Sequence, residues 1–299
     1  MSQLVVEESE HKVRTIQKML CPTCNSMVAI AVDRCTTCGA NVGFPNVREA
    51  LETQQMSVLD ARYQRALDDA STRMCSSQLA EFEAAVQKSC AVINVDLRDL
   101  HFFFTNKNFI YSTYQLAVKG QVRKSAEEIN DRQRLAIEGL IFGSYGERIR
   151  YAALSLDGSG LNSYGPYSIK LREVAISSRS SLLEENSYAF VERHNIRPGG
   201  PVPEGYTAAW KDRSKLSLAK LGSRIATTTK DSEYASILLC NGATRASDDY
   251  IEIHIYGPFD QNSIESVSGS SSTKNASDAA LLAAIKERLL LLGKGWIEK

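Results

Sequence analysis

A chain of 299 residues, 43% hydrophobic and 23% charged, is long enough for a sizeable core and for two or three units. Lys plus Arg and Asp plus Glu both number 35, so no global field draws the chain to DNA, RNA or an acidic membrane. A dedicated nucleic-acid binder is thereby disfavoured unless a local basic patch exists. No stretch approaches the roughly 18 apolar residues that span a bilayer, and Leu281–Leu292 is broken by Lys286, Glu287 and Arg288. The opening MSQLVVEESEHK lacks the basic head and apolar core of a secretory signal. Seven cysteines, two Cys-x-x-Cys pairs and three singles, then argue for reduced thiols and metal rather than disulfides. A cytoplasmic protein is the expectation, with no membrane partner.

The first unit, residues 15–45, holds the paired cysteines. Cys21 and Cys24 in CPTC, then Cys35 and Cys38 in CTTCG, have the spacing of two knuckles closing on one tetrahedral ion. A two-residue gap turns both thiolates of a pair toward one metal, and Gly39 permits the tight turn after Cys38. Four protein ligands leave no open position, so a structural Zn2+ is expected and a redox dithiol is the rival. The link NSMVAIAVDR is expected to form two short strands. Pro45 ends the ribbon and Asn46 is expected to cap the helix that follows.

Residues 46–145 read as helical. ALETQQMSVLDARYQRALDDASTRM lacks Gly and Pro, and Leu51, Val58, Leu59 and Tyr63 give it one apolar face. SSQLAEFEAAVQKSCAVINVDLRDLHFFF continues the pattern with Leu79, Phe82, Val86 and Cys90, and SAEEINDRQRLAIEGLIFG is a third helix. HFFFTNKNFIYSTYQLAV is aromatic, suited to a core or an interface. Cys75 and Cys90 fall on apolar helix faces and Cys240 ends an apolar strand, so all three read as small core residues.

Residues 146–299 change texture. RIRYAALSL, YSIKLREVAI, EYASILLC and DYIEIHIYGPF are expected strands, and DGSGLNSYGP is a loop. SSRSSLLEENSYAFVERH is a strand or mixed element, while DRSKLSLAKLGSRIA and ASDAALLAAIKERLLLLGKGW read as helices. The fold class expected for the chain is α+β with mixed, mainly antiparallel strands. In DYIEIHIYGP, Ile251, Ile253 and Ile255 share one strand face and Glu252 and His254 the other. The plain reading of Glu252 is a carboxylate facing water on an edge strand. No Gly-rich phosphate loop or G-x-S-x-G elbow is present, which disfavours an ATPase, a Rossmann dehydrogenase and a serine hydrolase.

The order YGPYSIKLR, SRSSLLEENSY, IEIHIYGP resembles the ADP-ribosyltransferase-like domains of bacterial toxins and related proteins. The resemblance covers about residues 145–270. It implies a split-sheet domain that uses NAD, with Glu252 matching the catalytic glutamate that holds the ribose 2′-hydroxyl. Arg148 or Arg150 would match the first-strand basic residue on NAD, and alternation does not choose between them. Tyr164 and Tyr167 are the candidates for the nicotinamide side, and Ser180 or Ser181 for the hydroxyl that orients the glutamate. Tyr250 stands where arginine-modifying members carry an acid or amide, which opens hydrolysis or another acceptor. The resemblance implies a protein or nucleic-acid acceptor and a toxin or defence role, with the ribbon or helical unit as a docking surface. The alternative is a non-enzymatic scaffold in which ribbon and helices bind a protein partner.

Overall fold

The computed structural model of the protein describes residues 18–29, 31–105, 128–273 and 275–299. The aromatic segment expected over 106–118 and the start of the third helix, 125–127, lie outside the described residues. Among those described, no helix is long and apolar enough to cross a membrane.

The ribbon pairs β1 (Lys18–Leu20) with β2 (Met27–Ala29) in antiparallel register. One of the two expected strands therefore lies in the link between the cysteine pairs, and the other precedes Cys21. Helix α1 (Pro45–Ala50) follows, with Pro45 in its first turn, where its missing N–H costs nothing. Asn46 does not cap this helix, because its side chain is buried and points into the body of the protein.

Helices α2 (Thr53–Thr72) and α3 (Ser76–Val86) bear out the helical reading of this stretch. They are separated at Met74, which has φ 58°, a left-handed helix-end conformation, with the Cys75 N–H donating to Ala70 C=O at 2.9 Å. The helical pattern then fails. Cys90–Val95 is strand β3, because Ala91, Val92, Ile93 and Val95 are β-compatible and buried from both sides. Cys90 thus opens a strand and does not lie on a helix face. Helices α4 (Leu97–Thr105) and α5 (Glu128–Phe142) complete this region.

Seven more strands join β3 in one sheet: β4 (Ile149–Ser155), β5 (Tyr167–Leu171), β6 (Ser180–Leu183), β7 (Thr207–Ala209), β8 (Glu252–Tyr256), β9 (Ile264–Gly269) and β10 (Gly295–Glu298). Their order is β10-β9-β5-β3-β4-β8-β6-β7, parallel only between β9 and β10. The α+β class with mainly antiparallel strands is therefore observed, but the eight strands form one continuous sheet and not a split one. β3 is responsible, since it bonds β5 on one side and β4 on the other and bridges the two halves.

The intervening helices are α6 (Glu173–Ile176), α7 (Ser187–Arg193), α8 (Arg213–Leu221), α9 (Tyr234–Leu238) and α10 (Ala276–Leu291). EYASILLC is therefore helical over Tyr234–Leu238 and not a strand. Cys240 makes only an isolated bridge to Asp249 and is exposed, contrary to its reading as a core residue.

One sheet face carries the main core, where Ile93, Ile169, Leu182, Ile253 and Val267 meet Leu79 and Phe82 of α3, Leu216 of α8 and Ile285 of α10. The other face, over β4, β6 and β8, meets α5 and α7 through Phe142, Leu183, Phe190 and Tyr256. The β7 end is covered by Gln55 of α2, whose amide donates to Thr207 C=O at 2.7 Å and accepts from Gly205 N–H at 2.8 Å. Gly205 has φ 82°, and a Cβ there would lie 2.5 Å from Val58, so only glycine lets the chain pass α2 this closely.

Candidate active site and metal centre

In the ribbon, the four sulfurs of Cys21, Cys24, Cys35 and Cys38 all lie within 4.8 Å of one another. Cys21 and Cys38 are 3.7 Å apart, as are Cys24 and Cys35, close to the roughly 3.8 Å edge of a tetrahedron with metal–sulfur bonds of about 2.3 Å. Each pair turns in the same way. Asn25 N–H donates to Cys21 C=O and Gly39 N–H to Cys35 C=O, both at 2.9 Å, and both residues have positive φ. Thr23 and Thr37 point their amides at Cys21 and Cys35 sulfurs, each at 3.4 Å. Ser26 holds the Cys35 thiol down, to about 5, by donating to its sulfur. The donor set can hold a metal ion such as zinc, and its four ligands leave no place for a reacting water.

The second cluster is built on β8. Ile251, Ile253 and Ile255 face the main core, so Glu252 and His254 must point through the opposite face. β8 lies between β4 and β6 and is no edge strand, and Glu252 is only 4% exposed. The plain reading of a solvated edge carboxylate is therefore corrected. A carboxylate buried this far needs donors, and five reach it. Its Oε1 accepts from the Ser187 amide at 3.2 Å, from the Ser187 hydroxyl, and from His254 Nε2 at 2.8 Å. Its Oε2 accepts from Tyr250 Oη at 3.2 Å and Asn186 Nδ2 at 3.4 Å.

Local sequence explains the arrangement. Asn186 caps α7, its Oδ1 accepting from the Tyr188 and Ala189 amides, which turns Nδ2 and the Ser187 N–H toward β8. Tyr250 also accepts from Asn186 Nδ2 at 2.8 Å. Burial and then the Glu252 charge push the Tyr250 phenol well above its ordinary value. The His254 ring is edge-on to Phe142 and Tyr151, with centroids 4.7 and 5.5 Å away. The same His254 nitrogen faces both Glu252 and, at 3.3 Å, Ser187 Oγ. The imidazole therefore does not bridge serine and carboxylate through opposite nitrogens, as a nucleophilic triad requires.

Strand alternation places Arg150, Tyr167, Ser180 and Ser181, while Arg148 and Tyr164 lie in the turns ahead of β4 and β5. Ser181 is the cross-strand partner of His254, on the Glu252 face. Arg148 reaches the same face, donating to Tyr256 Oη at 2.8 Å, but at the far end of the row and exposed. Tyr164 packs beside Tyr250 at the near end, with Arg245 stacked 4.5 Å over its ring. Arg150 and Ser180 both pair with Ile255 and so belong to the core side. Tyr167 is also in the main core, 6.1 Å from the Trp296 ring. The expectation that Arg150, Ser180 and Tyr167 gather at Glu252 is thus not met, because their strand positions alternate to the core face of the sheet.

Glu252 lies beneath the surface. Asn241, Arg245 and Asp248 clasp the loop before β5. Asn162 N–H donates to Asn241 Oδ1 at 2.7 Å, Ser163 Oγ to Asp248 at 2.5 Å, and Arg245 Nε to Ser163 C=O at 3.0 Å. Behind them Lys220, its charge disfavoured by burial, binds Asp249 at 2.5 Å and Tyr250 C=O at 2.9 Å. Surface depressions of about 450 Å³ beside Arg172 and Lys294, and about 350 Å³ beside Val191 and Arg197, contain none of the Glu252 ligands.

Of the Glu252 partners, the sequence points to His254, on the Glu252 face of the strand, and to Tyr250, but not to Asn186 or Ser187. The Asn-Ser pair ahead of an apolar helix is the cap signal that could have drawn attention to them. No protein-family model and no curated protein matches the chain.

Proposed function

We propose that the protein is an NAD-using enzyme of ADP-ribosyltransferase-like type, with Glu252 as its catalytic carboxylate and a zinc-loaded ribbon as docking module. The single observation that carries this reading is the setting of Glu252, an interior carboxylate between two strands with five donors converging on it. Cleavage of the nicotinamide–ribose bond develops positive charge on the sugar, and a carboxylate fixed by oriented donors favours that charge without reorganising. Glu252 would accept a hydrogen bond from the ribose 2′-hydroxyl in exchange for one of its present donors. Tyr250 and Asn186, on Oε2, are the pair nearest the two clasped loops and the ones to be displaced. Ser187 and His254, on Oε1, would hold the carboxylate in place.

Among the residues the resemblance implied, Ser181, Tyr164 and Arg148 support this reading from the Glu252 face. Turnover requires the Asn241–Asp248 clasp to open. The sugar then passes to water or to a protein or nucleic-acid acceptor, and a toxin or defence role accompanies that activity.

A second reading is favoured by the burial of Glu252 and Tyr250, which suits a polar core in a non-enzymatic scaffold. The deciding experiment incubates the protein and Glu252→Gln with NAD labelled on its adenylate half, alone and with cell extract. Nicotinamide release or transferred label, reduced at least about 100-fold in the variant, is expected. No turnover together with no NAD binding by calorimetry would replace the enzyme with the scaffold.

A further inference from the structure

Two polar side chains on opposite sides of one short helix join the ribbon to the seam that carries Glu252. Arg48 and Asn46 lie two residues apart on α1, a spacing that points side chains in different directions. On the ribbon side, Arg48 Nη2 donates to Val32 C=O at 2.9 Å, and Nη1 to Val42 C=O at 3.0 Å and to Gly43 C=O. Those carbonyls bracket the second knuckle, Cys35–Cys38. On the body side, Asn46 Nδ2 donates to His254 C=O at 2.9 Å, and to Ser181 Oγ and Arg179 C=O at 3.2 Å each. Ser181 and His254 are the paired residues of β6 and β8.

Asn46 is 3% exposed, and its buried Oδ1 has no hydrogen-bond partner among the described residues. An orphaned buried acceptor opposes its own placement, so Asn46 stays in the seam only while the other contacts of α1 hold it there. Glu49, which accepts from Tyr145 Oη, and the buried Ala50 hold α1 to the body, and Arg48 supplies its hold on the ribbon, through carbonyls of residues 32–43. A bridge between Arg34 and Asn41 and the Val42 N–H donated to Asp33 C=O at 3.0 Å shape the path of those residues, and metal on four thiolates would tie it to the first knuckle.

We propose that α1 couples metal loading of the ribbon to the β6–β8 seam, with Arg48 sensing the closed knuckle and Asn46 holding Ser181 and His254 in register. Loss of the metal lets the three carbonyls diverge, releases Arg48, and allows Asn46 to leave the seam. By linkage the coupling runs both ways, so loosening the seam weakens metal binding by the same factor. Asn46 is a positioning residue in this scheme, acting through the strand that carries Glu252.

The test uses the full chain and zinc alone, and it stands apart from any NAD activity. Amide hydrogen exchange is measured with zinc and after chelation, over 180–183 and 252–256, with 90–95 and 167–171 as reference strands. Chelation is expected to speed exchange about tenfold at the seam and to leave the reference strands unchanged. With zinc present, Asn46→Ala should already show fast seam exchange and no further response to chelation. Arg48→Lys, which cannot bridge three carbonyls, should weaken zinc affinity about tenfold in chelator competition. If Asn46→Ala does not fold, Ser181→Ala removes an acceptor from the other side and should halve the response or more. An unchanged seam in the chelated parent protein overturns the proposal, as does an Asn46→Ala protein that responds like the parent. Equal acceleration of the reference strands also overturns it, because the metal would then hold the whole fold and not this seam.

Discussion

At the scale of single residues, the Glu252 cluster shows how burial turns an ordinary strand position into a committed one. Truncating the carboxylate leaves Ser187, His254, Tyr250 and Asn186 donors pointing at a void. Glu252→Ala should therefore lose about 3 kcal/mol in chemical denaturation, and Glu252→Gln, which keeps an acceptor oxygen, clearly less. Equal losses would mean that the donors find other partners. Tyr250 carries a pH dependence of definite sign. Its folded pKa lies above the unfolded value near 10, so its stabilisation is complete below about pH 10 and is lost as pH rises beyond that. Tyr250→Phe should flatten the alkaline limb of the stability curve. An unchanged limb would show that the phenol does not resist ionisation.

At the scale of elements, helix α2 ends on a residue poorly suited to its conformation. Met74 has φ 58° and is 83% exposed, so its side chain contributes strain and almost no packing. Glycine removes a left-handed penalty of about 1–2 kcal/mol and gives back about 0.5–1 kcal/mol as chain entropy. Met74→Gly is expected to raise stability by about 0.5–1 kcal/mol, read as a higher denaturant midpoint at unchanged slope. A lower midpoint would place the Met74 side chain in a contact. The three single cysteines, ahead of α3, at the start of β3 and in an isolated bridge, carry a thiol contrast. Burial lifts the Cys90 thiol to about 11 and Cys75 is fully buried, whereas Cys240 is exposed. With zinc bound, a thiol reagent near pH 8 should modify Cys240 quickly and Cys75 and Cys90 slowly. Chelation should then release the four ribbon cysteines. Fast labelling at Cys90 would contradict its placement.

At the scale of the whole molecule, the sheet is assembled from both ends of the chain. β3 comes from a stretch whose spacing reads as helix, yet Ala91–Val95 sits mid-sheet, where burial on both faces favours compact apolar residues over amphipathic periodicity. β9, in IESVSG, is diluted by serine and glycine, and β10 begins at Gly295 and Trp296, inside the stretch expected to be helical. Within the site, Glu252 and its facing away from three isoleucines could be read from alternation. Its partners Asn186 and Ser187 are some 65 positions away and could not. That Ser181 and not Ser180 lies on the Glu252 face needed the strand register, and that Arg148 and Tyr164 reach that neighbourhood needed the turns before β4 and β5, neither of which a local pattern encodes.

The sequence by itself determined the cysteine cluster, because four thiols at two-residue gaps on short turns can reach one ion whatever else the chain does. It also determined the long helices and the alternating strands β4, β5 and β8, whose periods are local properties. The tertiary structure alone decided that β3 closes the sheet into one piece, that Glu252 is interior, and that α1 ties ribbon to seam. Those outcomes depend on which distant segment lies across each strand, and burial takes its meaning only from what covers a residue.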